Sequence, residues 1–165
     1  MSEFAKVSGE DVAGAWRAYR ARIGDYMERW VLNTPFGTLR VHHILRSDDA
    51  GSGLHDHPWD FWSFLLTGGY HEVIPDAMEI AERWPGYAPA RISVEAQARR
   101  GQVRRVWRRR FTLLRRKAED PHRLELVKPV WTLVWTGPMR RKWGFYSPKG
   151  WVYWRDVERP HRERA

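Results

Sequence analysis

The chain has 165 residues, a formal net charge of +9 and no cysteine. The lack of cysteine excludes disulfides, thiolate catalysis, Cys-ligated zinc and iron–sulfur clusters. The N-terminus has no apolar signal-peptide core, and no apolar run approaches the roughly 20 residues that a membrane span needs. We therefore expect a soluble, cytoplasmic protein with no membrane partner, folded as a single domain over residues 1–165.

Arginine and tryptophan are both abundant, with 11 tryptophans in the chain. Basic charge beside exposed aromatic side chains can bind nucleic acid through phosphate contacts and base stacking. The same composition fits a β-rich core filled by large aromatic residues under an arginine-coated surface. Because most tryptophans lie in strand-like alternation or beside Gly and Pro, the composition favours the second interpretation.

The first predicted element is a helix over about residues 9–30. Ser8 and Asp11 have the spacing of a capping box. Behind them, large apolar residues recur at helical spacing: Val12, Trp16, Tyr19, Ile23, Met27 and Trp30. This pattern predicts a helix that packs across the outside of a sheet.

After this helix, short β strands are predicted from residue 31 to about residue 157, followed by a short charged tail. Residues 34–37 indicate a turn, "FWSFLL" a buried strand closed by Gly68 and Gly69, and "WTLVWTG" a strand with clean alternation. One short helix is expected near residues 77–82. Many short antiparallel strands with one long helix are typical of a barrel or jelly roll.

Two histidines, His55 and His57, lie directly before the apolar strand in "GLHDHPWDFWSFLL". Residues two apart on an extended segment face the same side. Imidazoles are costly to bury unless something satisfies their nitrogens. The pair therefore predicts either a shared ligand or a hydrogen-bonded polar patch at the start of a strand.

A strongly basic segment covers residues 99–117, with ten Arg and Lys residues and no acidic one. Alternation cannot hide so many charges, so we expect a hairpin that is exposed along much of its length. Such charge runs are usually solvated faces that protect a sheet edge. With Trp107 and Phe111 beside it, the hairpin is also a candidate surface for nucleic acid or another anionic partner, through Arg104, Arg108 and Arg110.

Two segments resemble the signatures of the cupin superfamily. "HDHPWDFWSFLLTGGY" resembles the first signature, in which His-x-His opens a strand and a glycine turn follows. "FTLLRRKAEDPHRLEL" resembles the second, which leads to a third ligand histidine, here His122. Together with "WTLVWTGP" and "WGFYSPKGWVYWRD", the pattern is similar to uncharacterised cupin-like proteins of bacteriophage and bacterial genomes.

The resemblance implies a mostly β fold, a double-stranded β-helix or jelly-roll barrel, with the predicted N-terminal helix packed outside it. Because cupins commonly dimerise, it also implies a homodimer. It implies a metal site formed by His55, His57 and His122. The glutamate that cupins usually add falls at Phe61, a loss similar to that in cysteine-dioxygenase-like cupins, in which three histidines hold the iron.

Further residues are expected near this site. Asp60 would reach the metal only at a strand bulge, and is expected to anchor the loop or orient an imidazole instead. Ser63 is in phase with Phe61 and is expected to line the cavity. His43 is in phase with Val41 and Leu45, which predicts an inward-facing core or supporting histidine.

Three neutral imidazoles suit Fe(II) or Zn, with Ni, Mn or Cu as alternatives, and leave open positions for water or substrate. The favoured hypothesis is a metal-binding protein acting on a small-molecule ligand, as a mononuclear, dioxygenase-like enzyme. The alternative is a non-catalytic module that binds nucleic acid or another anionic partner through the basic hairpin. The residues do not indicate a catalytic acid, base or nucleophile.

Overall fold

The structure, a computed structural model, describes residues 16–84 and 88–157. Strands form most of this part of the chain. They are β1 (Arg17–Ile23), β2 (Met27–Thr34), β3 (Gly37–Ile44), β4 (Leu54–His55), β5 (Phe61–Leu65), β6 (Gly69–Pro75), β7 (Val103–Arg109), β8 (Leu113–Arg116), β9 (Arg123–Leu126), β10 (Val130–Thr136), β11 (Gly144–Ser147) and β12 (Gly150–Tyr153). Two α-helices, α1 (Asp76–Arg83) and α2 (Arg91–Arg100), lie between β6 and β7. Neither helix is long and apolar enough to cross a membrane.

The strands form two layers. One layer is a six-stranded antiparallel sheet in the order β1-β2-β3-β10-β5-β8. The other consists of two three-stranded sheets, β12-β11-β4 and β7-β6-β9. A backbone bridge between His55 and His122 joins them edge to edge, with hydrogen bonds of 2.9 Å in both directions.

The two layers pack face to face around a shared apolar core. Met27, Ile44, Leu65 and Val130 come from the six-stranded sheet, and Tyr70 and Leu124 come from the other layer. Burying each such side chain contributes roughly 1.5–3 kcal/mol of transfer free energy. From β3 to β6, and again from β7 to β11, the chain crosses between the layers at each connection. The predicted mostly β, double-stranded β-helix fold is therefore confirmed.

The predicted N-terminal helix is wrong over the described residues, because β1 and β2 form an antiparallel hairpin there. Gly24 has a left-handed φ of 50° in the turn, and the Tyr26 amide donates to the Ile23 carbonyl. Met27 and Val31 are both buried. Residues four apart lie on the same face in a helix and also in a strand, so this spacing does not distinguish the two. The Gly-Asp pair at the turn was the local hairpin signal. Residues 9–15 of the predicted helix lie outside the described residues.

The basic segment is also not a hairpin. Arg99 and Arg100 end α2, β7 pairs with β6 in one layer, and β8 pairs with β5 in the other. The chain changes layers at a turn in which Phe111 has a φ of 67°. The predicted short helix is confirmed as α1, whereas α2 was not predicted, because its arginine-rich sequence lacks a clear apolar stripe.

Candidate metal centre

Three histidines meet where the two halves of the second layer join. His55 ends β4, His122 directly precedes β9, and the two pair across the backbone bridge. His57 lies in the loop before β5, where its amide donates to the Ala118 carbonyl at 2.9 Å. All three positions are therefore fixed by backbone hydrogen bonds to neighbouring segments.

The three imidazoles are in mutual contact. Their ring centroids are 4.9 to 5.1 Å apart, and Nε2 of His57 lies 2.8 Å from Nε2 of His122. One ligand nitrogen from each ring lies within 4.8 Å of the others. Nitrogens bound at about 2.1 Å to one metal are separated by roughly 3.0–3.4 Å, depending on the coordination angle. The donor set and its spacing fit a single divalent ion.

Glu72, on β6, organises the buried charges beside this cluster. Its Oε1 accepts from Nδ1 of His122 at 2.7 Å and from Nε of Arg116 at 3.1 Å. Its Oε2 accepts from Nη2 of Arg116 at 2.6 Å and from Nε of Arg108 at 2.9 Å. Both arginines also pair with Glu82 on α1. We call these five residues the Glu72 network.

The network fixes the tautomer of His122. Burial raises the pKa of Glu72, but Arg116 and His122 outweigh it and hold that pKa well below its usual range. Because the ionised carboxylate only accepts hydrogen bonds, Nδ1 of His122 must donate to it. Nε2 of His122 then points towards His57 and is the ring nitrogen left to bind a metal.

Burial favours the neutral form of the other two imidazoles. Burial lowers the pKa of His55 to about 4, although Asp48 opposes the change. Burial, followed by His122 and His55, lowers the pKa of His57 well below its usual value. Neutral imidazole is the form that binds metal ions. His55 and His57 can therefore bind a cation at neutral pH without first losing protons.

The resemblance had not indicated Glu72, although the sequence carried a signal for it. Glu72 shares one face of β6 with Tyr70 and Ile74, and all three side chains are buried. A lone carboxylate on the apolar face of a strand has to be paired with a cation or a hydrogen-bond donor. That requirement would have predicted a buried network on this face.

Phe61 and Asp60 lie beside the cluster in different roles. The buried Phe61 ring is 4.7 Å from the His57 ring and 6.0 Å from the His122 ring, measured between centroids. It forms an apolar wall at the position where the resemblance would have placed a glutamate ligand. Asp60 accepts from the Ala118 amide at 2.7 Å and from Arg140, so it anchors the adjacent loops.

Ser63 lies on the inner face of β5 and is buried, whereas His43 was assigned to the wrong face. The His43 ring stacks on Trp131 with centroids 4.3 Å apart. The inner face of β3 instead carries Arg40, His42 and Ile44. The outer face of this sheet bears large apolar residues too, so alternation alone did not identify the buried side.

The three predicted anion contacts divide into two groups. Arg108 is buried and paired with Glu72 and Glu82, which corrects its predicted role as a surface contact. Arg104 is exposed and pairs with Asp76 at 3.1 Å. Arg110 is exposed, with its guanidinium 5.3 Å from the Phe111 ring centroid.

Comparisons with known proteins give structural matches only. No protein-family model matches the chain, and no curated protein matches it. Hydroxypropylphosphonic acid epoxidase from S. wedmorenis matches with a TM-score of 0.48 and 12% identity, over 73% of this chain and 55% of the epoxidase. An uncharacterized conserved protein with a double-stranded beta-helix domain from Klebsiella pneumoniae matches with a TM-score of 0.48 and 11% identity, over 78% of this chain and 90% of that one.

Oxalate decarboxylase from Lactobacillus farciminis matches with a TM-score of 0.46 and 16% identity, over 75% of this chain and 32% of the decarboxylase. The chain thus spans about half of the epoxidase and a third of the decarboxylase. At this level of similarity the matches carry no information about activity or substrate. The functional argument rests on the residues of the chain itself.

Proposed function

We propose that the protein binds one divalent metal ion through His55, His57 and His122 and acts as a small-molecule metalloenzyme of the dioxygenase-like type. The observation that carries the proposal is the contact of three imidazoles beside a buried carboxylate. Glu72 holds the Nδ1 proton of His122 and so directs its Nε2 into the cluster. Fe(II) and Zn are the favoured metals for this donor set, with Ni, Mn or Cu as alternatives.

The proposed chemistry follows from the ligand count. Three neutral ligands leave the full 2+ charge of the ion uncompensated and leave positions open for other ligands. Bound Fe(II) would supply oxidation by dioxygen, whereas bound Zn would lower the pKa of a water molecule. The chain contributes Glu72, which fixes one ligand, and Phe61, which keeps one side of the site apolar.

Elemental analysis of protein purified without oxygen tests the metal site. We expect about one divalent metal per chain in the wild type. His57→Ala and His122→Ala should lower metal affinity by at least about tenfold, since two imidazoles remain to hold the ion. His71→Ala is the matched control, because His71 lies on β6 against Trp107, outside the cluster. Wild-type metal content in the cluster variants would contradict the proposal.

A cobalt(II)-loaded sample tests for open coordination positions. Azide added to this sample should change its visible absorption spectrum, because a small anion can occupy a free position on the ion. His71→Ala should give the wild-type response. A spectrum that azide leaves unchanged, in a protein with metal bound at the three histidines, would indicate a closed, structural site.

The nucleic-acid alternative and the homodimer stay predictions. Without Arg108, the predicted anionic contact surface is reduced to Arg104 and Arg110, and Arg104 is already paired with Asp76. A steep loss of nucleic-acid affinity with rising salt would support this alternative.

A further inference from the structure

Three polar side chains form a row across the inner face of the six-stranded sheet. Arg29 on β2 lies opposite His42 on β3, and His42 lies opposite Thr132 on β10. Residues directly opposite in neighbouring strands point to the same side of a sheet. Leu65, which continues the row on β5, belongs to the apolar core, so the row faces inward. We call it the Arg29 row.

Each member of the Arg29 row has a buried polar atom without a hydrogen-bond partner among the described residues. These atoms are Nε of Arg29, Nε2 of His42 and Oγ1 of Thr132. In the part of the chain that the structure describes, the one further buried side-chain atom of this kind is Nε of Arg123, on the other layer. Buried polar groups in proteins almost always have a partner. Three such atoms in one row indicate a partner that lies outside the described residues.

The surroundings of the row are positively charged. Burial, together with the nearby charges of Arg29 and Arg40, lowers the pKa of His42 to about 3. Arg40 is buried in the next row of the inner face, where it donates to Oγ1 of Thr136 and lies 4.3 Å from the Trp59 ring centroid. Two guanidinium groups beside a hydroxyl are the groups that proteins use to bind carboxylate and phosphate oxygens.

The row faces the same interior as the candidate metal centre. Phe61, which touches the His57 ring, lies two rows further along β5, opposite Thr136, and the row of Arg40 and Ser63 lies between. A ligand that reaches both the row and the three histidines would therefore extend past Arg40 and Ser63.

We propose that Arg29, His42 and Thr132 form a subsite for an oxyanion group, a carboxylate or a phosphate-type group, of the substrate. This inference deepens the proposed function. It rests on that function only in assuming that the molecule bound by the subsite also reaches the metal. The anion would accept from Nε of Arg29 and from the Thr132 hydroxyl, and its charge would be balanced by Arg29 and the adjacent Arg40. Ordered water is the rival occupant, since it also satisfies buried polar atoms.

Calorimetric titration with inorganic phosphate and with acetate tests the subsite. The titrations use the zinc-loaded, full-length protein at constant ionic strength. We expect at least one of the two anions to bind, and Arg29→Gln to weaken its binding by about 10- to 100-fold, because a charge-assisted hydrogen bond is lost. The matched control is Arg22→Gln, an exposed arginine on the neighbouring strand, which should bind as the wild type does. The anion that binds more tightly identifies the chemical class.

Thr132→Val provides a second variant if Arg29→Gln does not fold. It keeps the shape of the side chain and removes one donor, so anion affinity should fall by about tenfold while the metal content stays at the wild-type level. Wild-type affinity in both variants, or no binding of either anion at millimolar concentrations, would overturn the subsite and favour water. If phosphate or acetate binding depends on Arg29 in a protein that holds no metal, the subsite stands and the proposed function fails.

Discussion

The two buried polar clusters of this barrel differ in one respect, the presence of internal partners. In the Glu72 network both carboxylate oxygens of Glu72 accept hydrogen bonds, and both arginines are paired with two acidic side chains. In the Arg29 row, three buried polar atoms have no partner among the described residues. The Glu72 network contains His122, and the Arg29 row faces the same interior. The Glu72 network therefore supports the metal site from within the chain, whereas the Arg29 row leaves polar atoms available to a ligand.

The difference has a physical basis. A buried charge is tolerated when paired and fully hydrogen-bonded, so the Glu72 network can hold His122 rigidly at little net cost. An unpaired buried polar group raises the free energy of the folded state until a ligand or water satisfies it. The Arg29 row therefore lowers stability in the absence of a ligand and recovers it on binding, which is typical of functional sites.

The largest expected effect comes from breaking the Glu72 network. Glu72→Gln removes the charge that balances Arg108 and Arg116, so the free energy of unfolding should fall by about 3–5 kcal/mol. The same change removes the anionic partner of His122 and should weaken metal binding by about 10- to 100-fold. Urea unfolding of the metal-free protein and competitive metal titration would measure the two effects.

Glu125→Gln is the control for this variant. Glu125 pairs with Arg105 and Arg123 but is partly exposed, so its loss should cost less than about 1 kcal/mol and leave metal affinity unchanged. If Glu72→Gln behaved like Glu125→Gln in both measurements, the network would have no role in fixing His122.

A smaller effect distinguishes two threonines on the inner face of β10. Thr136→Val removes the acceptor for Arg40 and should lower the free energy of unfolding by about 1–3 kcal/mol. Thr132→Val removes a hydroxyl without a partner, so the ligand-free protein should change by less than about 0.5 kcal/mol or become more stable. Thermal or urea unfolding of both variants measures the contrast. Equal losses would show that Oγ1 of Thr132 is already satisfied, and the Arg29 row would lose its distinguishing feature.

The histidine cluster could be predicted because its information is local. His55 and His57 are two residues apart in one motif, and the motif around His122 supplies the third imidazole. The loop role expected of Asp60 also agrees with its hydrogen bonds to the Ala118 amide and Arg140. In each of these cases a short segment determined where the side chain points.

The rest of the site depends on pairing between distant strands. The alternation of β3 was recognised, but both of its faces carry apolar residues, so His43 was placed inside where His42 belongs. The N-terminal segment was assigned to a helix because apolar residues four apart fit both the helical period and the strand period. The pairing of β1 with β2 decides in favour of strands. Arg108 appeared exposed because its partners, Glu72 and Glu82, lie 36 and 26 residues away in sequence.

The most direct test of the central claim is the position of a metal in crystals. Anomalous diffraction from zinc- or iron-loaded crystals should give one peak, within about 2.0–2.2 Å of a ring nitrogen of each of His55, His57 and His122. The same map should show Nδ1 of His122 still bonded to Glu72, with the metal on Nε2. A peak elsewhere, or contact with fewer than three of these imidazoles, would contradict the assignment of this cluster as the metal centre.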